Sequence, residues 1–273
     1  MFTDSHNHTS EFSGDAHMTA SELFAAAKSM DLSAVAVTEH YEMDYPHKLE
    51  IPLLFDVDSY FESFAKWRAE VQGGLKICSG IELGYQPHLS GFYNNLVSSY
   101  PFDSVIMSNH LYKGQDPYFF PECYKNPKPE VFSGYIDELT QMVLSSDAFD
   151  IVGHFDYIMR YATYEDPAIR YSDAPGSFDR FLQSIVLKKK SLEVNTRSIN
   201  KLLSKNMENI MPDREILKRY IALGGDRVTL GSDSHDPSTL GFYFKETAAY
   251  LKACGFKELT TYVGRKEIRM PIL

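Results

Sequence analysis

Paired cysteines are missing from this 273-residue sequence, which has three cysteines, at positions 78, 123 and 254. They are widely spaced and form no CxxC pair, which argues against a disulfide framework and against a thiolate zinc site. Long apolar runs are also missing, and none approaches the roughly 20 residues of a membrane helix. No basic segment followed by an apolar one opens the chain. We therefore expect a cytoplasmic protein with no membrane partner.

Positive charge is scarce as well. The chain has 27 Lys and Arg against 37 Asp and Glu, a formal net charge of -10. An extended nucleic-acid surface needs clustered Lys and Arg, so we expect no nucleic-acid partner. Internal repeats, low-complexity tracts and clear linkers are also missing, so we predict that residues 1–273 form a single domain. The 44% of hydrophobic residues can supply one large core, and the length suits an α/β barrel.

The hydrophobic pattern predicts seven strands, each followed by a helix or an irregular segment. The strands are predicted at residues 2–3, 33–37, 75–83, 104–107, 150–153, 191–194 and 227–230. Thr19-Ala20-Ser21-Glu22 has the pattern of a capping box, Asp58 and Asp213 are predicted to cap two later helices, and a final helix is predicted from about Ser238 to Ala253. This alternation predicts a parallel, barrel-like α/β fold.

Two irregular segments interrupt the pattern. The longer, residues 111–129, is rich in Pro, Gly and aromatic residues, and the shorter covers residues 160–175. A loop as long as the first is usually functional or disordered in a compact domain, and its aromatic content favours an ordered lid.

Polar and ionisable residues gather where the predicted strands end. These groups are His6/His8, Glu39/His40, Glu82, His110, His154/Asp156, Asn195/Arg197 and Asp233/His235. The carboxyl ends of parallel barrel strands form the catalytic face, so residues far apart in sequence converge there. Six of the nine histidines lie in these groups. Such a rim would be strongly repulsive or poorly solvated unless metal ions separated its charges, so we predict a metal centre.

The first group illustrates the geometry. Residues two apart in an extended strand point the same way, so His6 and His8 share a face and can bind one ion. For these two alone, solvated histidines in a polar tail are the alternative. Nitrogen and carboxylate ligands suit Zn, Mn or Fe, and a carboxylate such as Glu82 can bridge two ions. The nine candidate ligands, enough for three divalent ions, are His6, His8, Asp15, His40, Glu82, His110, His154, Asp233 and His235.

Several motifs occur in a characteristic order. They are His6-Asn7-His8, Thr38-Glu39-His40, Gly80-Ile81-Glu82, Asn109-His110, Gly153-His154 and Gly231-Ser232-Asp233-Ser234-His235. In this order they resemble the motifs of the PHP (polymerase and histidinol phosphatase) superfamily. With Phe12-Ser13-Gly14-Asp15 and Asn195-Thr196-Arg197, the combination is most similar to its monofunctional histidinol-phosphate phosphatases. The resemblance spans Phe2 to about His235.

The resemblance implies a distorted (β/α)7 barrel with a trinuclear metal centre. It implies one metal held by His6, His8, Glu82 and Asp233, a second by Glu82, His110 and His154, and a third by Asp15, His40 and His235. Glu39 stands where the superfamily often has Asp, and Asp15 where many members have His. The second departure leaves open whether Asp15 or His17 binds the third metal.

The predicted activity is phosphate ester hydrolysis by a hydroxide shared between metals. Asp233 is assigned to the catalytic set. Arg160 and Arg197 follow the fifth and sixth strands, and their planar guanidinium groups match two phosphate oxygens; a surface ion pair is the alternative for each. His17 is a candidate proton donor to the leaving alkoxide or a phosphate ligand, with a plain surface histidine as its alternative.

L-Histidinol phosphate is the favoured substrate. Its second end carries an ammonium and an imidazole, which require a carboxylate and an aromatic face. The candidates are Glu42, Asp44 and Asp156, with the aromatic side chains of residues 111–129 as a lid. His47 and His88 are interpreted as structural.

Two other functions remain possible. One is a PHP hydrolase acting on another phosphate ester, such as a nuclease, although the acidic composition argues against long nucleic acids. The other is a non-catalytic metal-bearing module attached to a polymerase, which the complete ligand set argues against. The identity of the metals and the oligomeric state stay open.

Overall fold

Seven parallel strands lie side by side in chain order. The structure, a computed structural model, describes residues 2–71 and 73–272. The strands are β1 Thr3–Asp4, β2 Ala34–Tyr41, β3 Lys76–Gly84, β4 Ser104–Ser108, β5 Ile151–Val152, β6 Ser191–Asn195 and β7 Val228–Gly231. A parallel bridge between Asn7 and Ser234 joins the first strand to the last. The sheet is therefore a nearly closed barrel, which confirms the predicted distorted (β/α)7 fold.

At least one helix separates each strand from the next. The helices are α1 Ala20–Ser29, α2 Val57–Glu70, α3 Ser90–Ser99, α4 Lys128–Ser145, α5 Tyr157–Arg160, α6 Pro175–Lys188, α7 Thr196–Ser204, α8 Arg214–Ala222 and α9 Phe244–Cys254. Short 3-10 turns cover Pro87–Leu89, Pro121–Lys125, Tyr171–Asp173 and Pro237–Thr239. In the part of the chain that the structure describes, no helix is long and apolar enough to span a membrane.

The helix starts follow the capping predictions at two positions and differ at two. Thr19 forms the predicted capping box, and Asp213 caps α8. The prediction of Asp58 as a cap was wrong, because Asp56 accepts the hydrogen bond from the Ser59 N–H at 2.7 Å and α2 begins two residues earlier than expected. The last helix begins at Phe244 and not near Ser238, because positive φ angles at residues 241 and 243 interrupt the helical path.

Hydrogen bonds between distant parts of the chain complete the barrel. The Ser5 N–H donates to the Leu230 carbonyl at 3.0 Å, and the two residues are 225 positions apart. Further along, the Asp233 N–H donates to the His6 carbonyl at 2.8 Å, and the His8 N–H donates to the Ser234 carbonyl at 3.0 Å. These bonds hold the two histidines of the first strand end beside the acidic group of the last.

An antiparallel hairpin that the sequence analysis missed packs at the other end of the barrel. It consists of β8 Glu258–Val263 and β9 Lys266–Pro271. Tyr262 packs against Ile106 and Ile151, and its hydroxyl lies 2.9 Å from the Ser191 hydroxyl. Because β5 and β6 begin at Ile151 and Ser191, the hairpin covers the amino-terminal end of the barrel. The carboxyl-terminal strand ends face the opposite side.

Candidate active site

A cavity of about 540 Å³ lies at the carboxyl-terminal strand ends. One part of its wall consists of predicted metal ligands and basic residues: Asp15, His40, His110, His154, Asp233, His235, Arg160, Arg197 and Lys201. The other part is rich in aromatic side chains and includes Glu42, Tyr45, Asp116, Tyr118, Phe119, Tyr157 and Tyr161. The cavity thus has a part suited to metals and phosphate and a part suited to an organic group.

Glu82 lies at the centre of the predicted ligands. Its side chain is fully buried, and five histidines each have a ring nitrogen within 4 Å of one of its two carboxylate oxygens. The nitrogens are His6 Nε2 at 3.4 Å, His8 Nε2 at 3.7 Å, His40 Nδ1 at 2.7 Å, His110 Nε2 at 3.4 Å and His154 Nε2 at 2.8 Å. A carboxylate in this position can be shared by more than one metal ion.

The remaining predicted ligands complete the cluster. Asp233 Oδ1 lies 3.5 Å from His8 Nε2 and 3.6 Å from His235 Nδ1. Asp15 Oδ2 lies 3.1 Å from His235 Nε2 and 3.6 Å from His40 Nε2. The structure therefore brings all nine predicted ligands together. Three groups have ligand atoms that all lie within 4.8 Å of one another: His8, His40 and His235; His6, Glu82 and His154; and His6, His8 and Asp233.

The ligand atoms at the centre fit divalent cations. Within the described residues, His6 Nε2, His8 Nε2 and Glu82 Oε2 are buried without a hydrogen-bond partner. Leaving such atoms unsatisfied costs about 1–3 kcal/mol each, so a group that accepts their lone pairs would stabilise the cluster. Imidazole and carboxylate ligands without thiolate are the set that Zn, Mn and Fe ions accept.

Charge at the site keeps the central carboxylates ionised. Burial by itself raises the pKa of Glu82, but the electrostatic effect of the nearby His6, His40 and His110 rings lowers the pKa well below its usual value. Burial likewise opposes ionisation of Asp233, and Arg197 and Arg160 bring its pKa well below the usual range. Both side chains are therefore anionic at neutral pH, the form that binds cations.

His8 has the opposite shift. Burial, together with the nearby charges of His40 and His235, lowers the pKa of His8 well below its ordinary value. Its ring is therefore neutral at neutral pH, which is the state in which an imidazole nitrogen binds a metal.

Glu193 is a buried carboxylate that the sequence analysis missed. Its Oε1 lies 2.8 Å from His6 Nδ1, and its Oε2 accepts hydrogen bonds from the His154 N–H at 2.7 Å and from Asn195 Nδ2 at 3.2 Å. Gly231 leaves room for it, because a Cβ at that position would lie 2.1 Å from Glu193 Oε1. When one ring nitrogen of a histidine binds a metal, a carboxylate that is hydrogen-bonded to the other ring nitrogen fixes the orientation and tautomer of the ring.

The sequence contains an indication that Glu193 has a role. In the strand Ser191-Leu192-Glu193-Val194-Asn195, alternate side chains share a face, so Glu193 lies on the same face as Asn195. A charged residue inside a short buried strand needs a partner. Glu193 lies in the middle of its strand, whereas the predicted ligands follow strand ends, so the strand-end pattern does not include it.

The two predicted phosphate-binding arginines differ in exposure. The Arg160 side chain is 3% exposed and donates to Asp233 Oδ2 at 2.8 Å, Asn195 Oδ1 at 2.9 Å and Ser198 Oγ at 3.1 Å. The Arg197 side chain is 30% exposed and donates to the Asp233 carbonyl at 2.9 Å. Both line the cavity. Arg160 is thus held rigidly beside Asp233, whereas Arg197 has surface available to a ligand.

The other predicted site residues are more scattered. Glu42 lines the cavity, and its Oε1 lies 2.7 Å from His110 Nδ1. Asp156 is buried and accepts a hydrogen bond from Ser198 Oγ at 2.8 Å; burial raises the pKa of Asp156 to about 6. It is not among the side chains of the cavity wall. His17 is exposed and also outside that wall, although its N–H donates to the His235 carbonyl at 2.7 Å.

Asp44 and the two histidines interpreted as structural lie nearer the surface. Asp44 and His88 form an exposed pair, with Asp44 Oδ2 and His88 Nε2 2.9 Å apart. His47 packs against Phe120, with ring centroids separated by 4.4 Å.

Residues 111–129 form an ordered wall around part of the cavity. Tyr112 and Tyr124 are buried, and the Tyr124 hydroxyl donates to the Ile158 carbonyl at 2.6 Å. Tyr118 and Phe119 line the cavity and are 59% and 42% exposed. The exposed aromatic pair therefore lies where a lid residue would contact a bound molecule.

The chain is similar in sequence to known proteins. The family model described as PHP domain matches residues 4–197. The chain is 35% identical over 257 residues to a protein of Clostridium acetobutylicum named probable histidinol-phosphatase, covering 94% of this chain and 95% of the relative. It is 28% identical over 264 residues to the histidinol-phosphatase of Lactococcus lactis subsp. lactis, covering 96% and 95%.

A solved structure is similar over the same extent. It is the histidinol phosphate phosphatase of Lactococcus lactis subsp. lactis complexed with Zn, L-histidinol and phosphate. The two folds superpose with a TM-score of 0.83 at 27% sequence identity, and the match covers 98% of each chain.

Proposed function

The chain belongs to the PHP domain family, and on that premise we propose that it hydrolyses L-histidinol phosphate to L-histidinol and phosphate. The observation that carries this proposal is the convergence of nine candidate metal-ligand side chains, with the buried Glu82 at their centre, beside a cavity that Arg197 also lines. Two further observations support it. The relatives named as histidinol-phosphatases match nearly the whole chain, and the Lactococcus structure contains zinc, L-histidinol and phosphate.

The proposed site takes three divalent metal ions, with zinc, manganese and iron as candidates. His6, His8, Glu82 and Asp233 would hold one ion, Glu82, His110 and His154 a second, and Asp15, His40 and His235 the third. Such ions lower the pKa of a water molecule and neutralise charge on phosphoryl oxygens. The orphaned lone pairs of His6, His8 and Glu82 support this assignment.

The protein's own cations would hold the phosphate. The partly exposed Arg197 guanidinium can donate to two phosphoryl oxygens, and Arg160 would orient Asp233 and add positive charge from behind it. We propose His17 as the proton donor to the leaving alkoxide. In its favour, the backbone bond to His235 keeps His17 next to one of the proposed metal groups.

We propose that Glu42 and Asp156 contribute to binding the end of the substrate that carries the ammonium and the imidazole. Glu42 is on the cavity wall, so its free oxygen can reach a bound molecule. Asp156 would act through Ser198, which also accepts a hydrogen bond from Arg160. We further propose that residues 1–273 act as a single unit. A cytoplasmic location is supported by the three free thiols at Cys78, Cys123 and Cys254.

Phosphate release from a panel of esters tests the function. We expect kcat/KM for L-histidinol phosphate to exceed that for p-nitrophenyl phosphate at least about a hundredfold, or roughly 2.7 kcal/mol, through contacts remote from phosphorus. Equal efficiency on both esters would remove the histidinol assignment. A preference for a phosphodiester or for DNA ends would favour a different PHP hydrolase.

A further inference from the structure

The aromatic part of the cavity contains a carboxylate whose hydrogen-bond donors, among the residues that the structure describes, are all neutral. Asp116 lines the cavity and is 5% exposed. Its Oδ2 accepts a hydrogen bond from the Tyr45 hydroxyl at 2.6 Å, and its Oδ1 accepts from the Tyr157 hydroxyl at 3.0 Å and from the Tyr118 N–H at 2.8 Å. These donors solvate the carboxylate without neutralising its charge. A buried anion of this kind is stabilised further when a polar or cationic ligand donates to it.

The other acidic side chains of the cavity wall have different surroundings. Glu42, Asp15 and Asp233 each contact a histidine, at 2.7, 3.1 and 3.5 Å respectively. Glu50 is exposed to solvent. Asp116 is therefore the buried carboxylate of the wall that lies outside the predicted metal cluster and accepts its hydrogen bonds from tyrosine hydroxyls and a backbone N–H.

Tyr157 fixes the position of this carboxylate relative to the metal site. Its ring lies against His110 and His154, with centroid separations of 5.0 and 5.4 Å, and its hydroxyl donates to Asp116. Asp116 is thus one tyrosine side chain away from two predicted metal ligands. A molecule with its phosphate at the metals and a hydrogen-bond donor a few bonds away could span that separation.

Aromatic faces border the space beside Asp116. Tyr118 and Tyr161 both line the cavity, and their ring centroids are 5.1 Å apart. Burial, and next the hydrogen bond to Asp116, raise the pKa of Tyr45, so its hydroxyl stays protonated and continues to donate. The surroundings therefore favour a flat ring that carries an N–H group over a purely aliphatic amine.

We propose that Asp116 determines specificity by accepting a hydrogen bond from the imidazole N–H of the substrate, with Tyr118, Tyr157 and Tyr161 around the ring. This inference rests on the proposed function, because that function supplies a substrate with phosphate at one end and imidazole at the other. The hydrogen bond to the charged carboxylate is stronger than one to a neutral acceptor. It is available to L-histidinol phosphate and unavailable to an ester without an imidazole.

Steady-state kinetics on three esters tests the assignment. L-Histidinol phosphate has both an imidazole and an ammonium, O-phosphoethanolamine has an ammonium alone, and p-nitrophenyl phosphate has an aromatic ring without an N–H. In the metal-loaded enzyme, Asp116→Asn should lower kcat/KM for L-histidinol phosphate by about tenfold to a hundredfold relative to the other two esters, mainly through KM. Tyr45→Phe removes one donor from the carboxylate and should give a smaller loss in the same direction.

Asp147→Asn is the matched control. The Asp147 side chain is 75% exposed and pairs with Lys188, and neither residue lines the cavity, so all three kcat/KM values should stay at wild-type level. Metal content and the thermal unfolding midpoint are measured for every variant. If Asp116→Asn does not fold, the substrate-selective loss in Tyr45→Phe carries the test.

The possible outcomes separate the alternatives. An equal fractional loss on all three esters, or no loss on L-histidinol phosphate, would overturn the role of Asp116 in specificity. A loss shared by L-histidinol phosphate and O-phosphoethanolamine would assign Asp116 to the ammonium and overturn the imidazole assignment. Failure of the proposed function has a different signature, because wild-type enzyme would then show no preference for L-histidinol phosphate at all.

Discussion

Replacing Glu193 by Gln should weaken metal binding although the substitution preserves the size of the side chain. Glu193 and His6 are both fully buried, and Glu193 Oε1 lies 2.8 Å from His6 Nδ1. In the form that binds a metal through Nε2, His6 carries its proton on Nδ1, and this N–H donates a hydrogen bond to Glu193. The carboxylate therefore keeps the Nε2 lone pair directed at the space beside Glu82.

The glutamine side chain cannot satisfy both sides of this position. If its oxygen keeps the hydrogen bonds from the His154 N–H and Asn195 Nδ2, its NH₂ group faces His6 Nδ1 and favours the tautomer with the proton on Nε2. If the amide is reversed, its NH₂ group faces the His154 N–H, and two buried donors oppose each other. Either arrangement costs about 1–3 kcal/mol, which corresponds to roughly 5-fold to 150-fold weaker metal binding.

Chelator competition with Zn²⁺ measures this loss directly, and elemental analysis gives the number of ions bound. Glu165→Gln is the control, because Glu165 is exposed and the same chemical change there should leave metal affinity unchanged. The thermal unfolding midpoint of each metal-free variant separates lost affinity from lost folding. Wild-type metal affinity in a folded Glu193→Gln variant would refute the orienting role of the carboxylate.

Further predictions concern the metals and the two arginines. Protein purified without chelator should contain about three divalent ions per chain by elemental analysis, and one ion or none with full activity would contradict the trinuclear assignment. Glu82→Gln should lower both metal content and kcat more than a change at any single histidine, because Glu82 contacts five of them. Arg197→Met should lower kcat/KM at least about tenfold with metal content unchanged, and wild-type kinetics would show that phosphate binds elsewhere. Arg160→Met should also lower the unfolding midpoint, and by more than Arg197→Met, because it removes the charged donor to the buried Asp233 Oδ2 and Asn195 Oδ1. Equal midpoints for the two variants would contradict this order.

The barrel could be predicted because its strands leave a strong pattern in the sequence. Each strand is a short apolar segment that ends in a polar group, and parallel topology brings all those ends to one face. The position of His6 beside Asp233 follows from topology alone, without knowledge of any side-chain rotamer. Glu193 was missed because it lies inside its strand, where its function depends on which ring it contacts.

The carboxyl-terminal hairpin left a weaker signal. Its turn is Gly264-Arg265, and both residues have positive φ angles, 55° and 61°. Two-residue hairpin turns of this kind usually carry Asn-Gly or Asp-Gly, so an arginine at the second position hides the turn from sequence analysis. The Arg265 side chain forms an ion pair with Asp150. The two residues are more than a hundred positions apart in the sequence, so the local sequence does not indicate this contact.

The sequence also could not show which of two similar side chains makes a given contact. Asp56 and Asp58 are both good helix caps, and only the backbone conformation at residue 56 decides between them. In the same way, Glu42 and Asp116 are both carboxylates in irregular segments. Their different partners, a histidine for one and tyrosines for the other, emerge only when the loops are packed together.

Because the first and last strands together close the barrel, the predicted metal centre can be complete only after β7 has been synthesised. His6 and His8 leave the ribosome before Asp233 and His235, which follow them after more than two hundred further residues. At translation rates of about 5–20 residues per second, the last predicted ligands emerge roughly 10 to 45 s after the first. Throughout that interval the nascent chain has only part of its ligand set, and the full binding free energy becomes available when β7 joins β1. Metal ions would therefore stabilise finished chains selectively and leave prematurely terminated ones to unfold and be degraded.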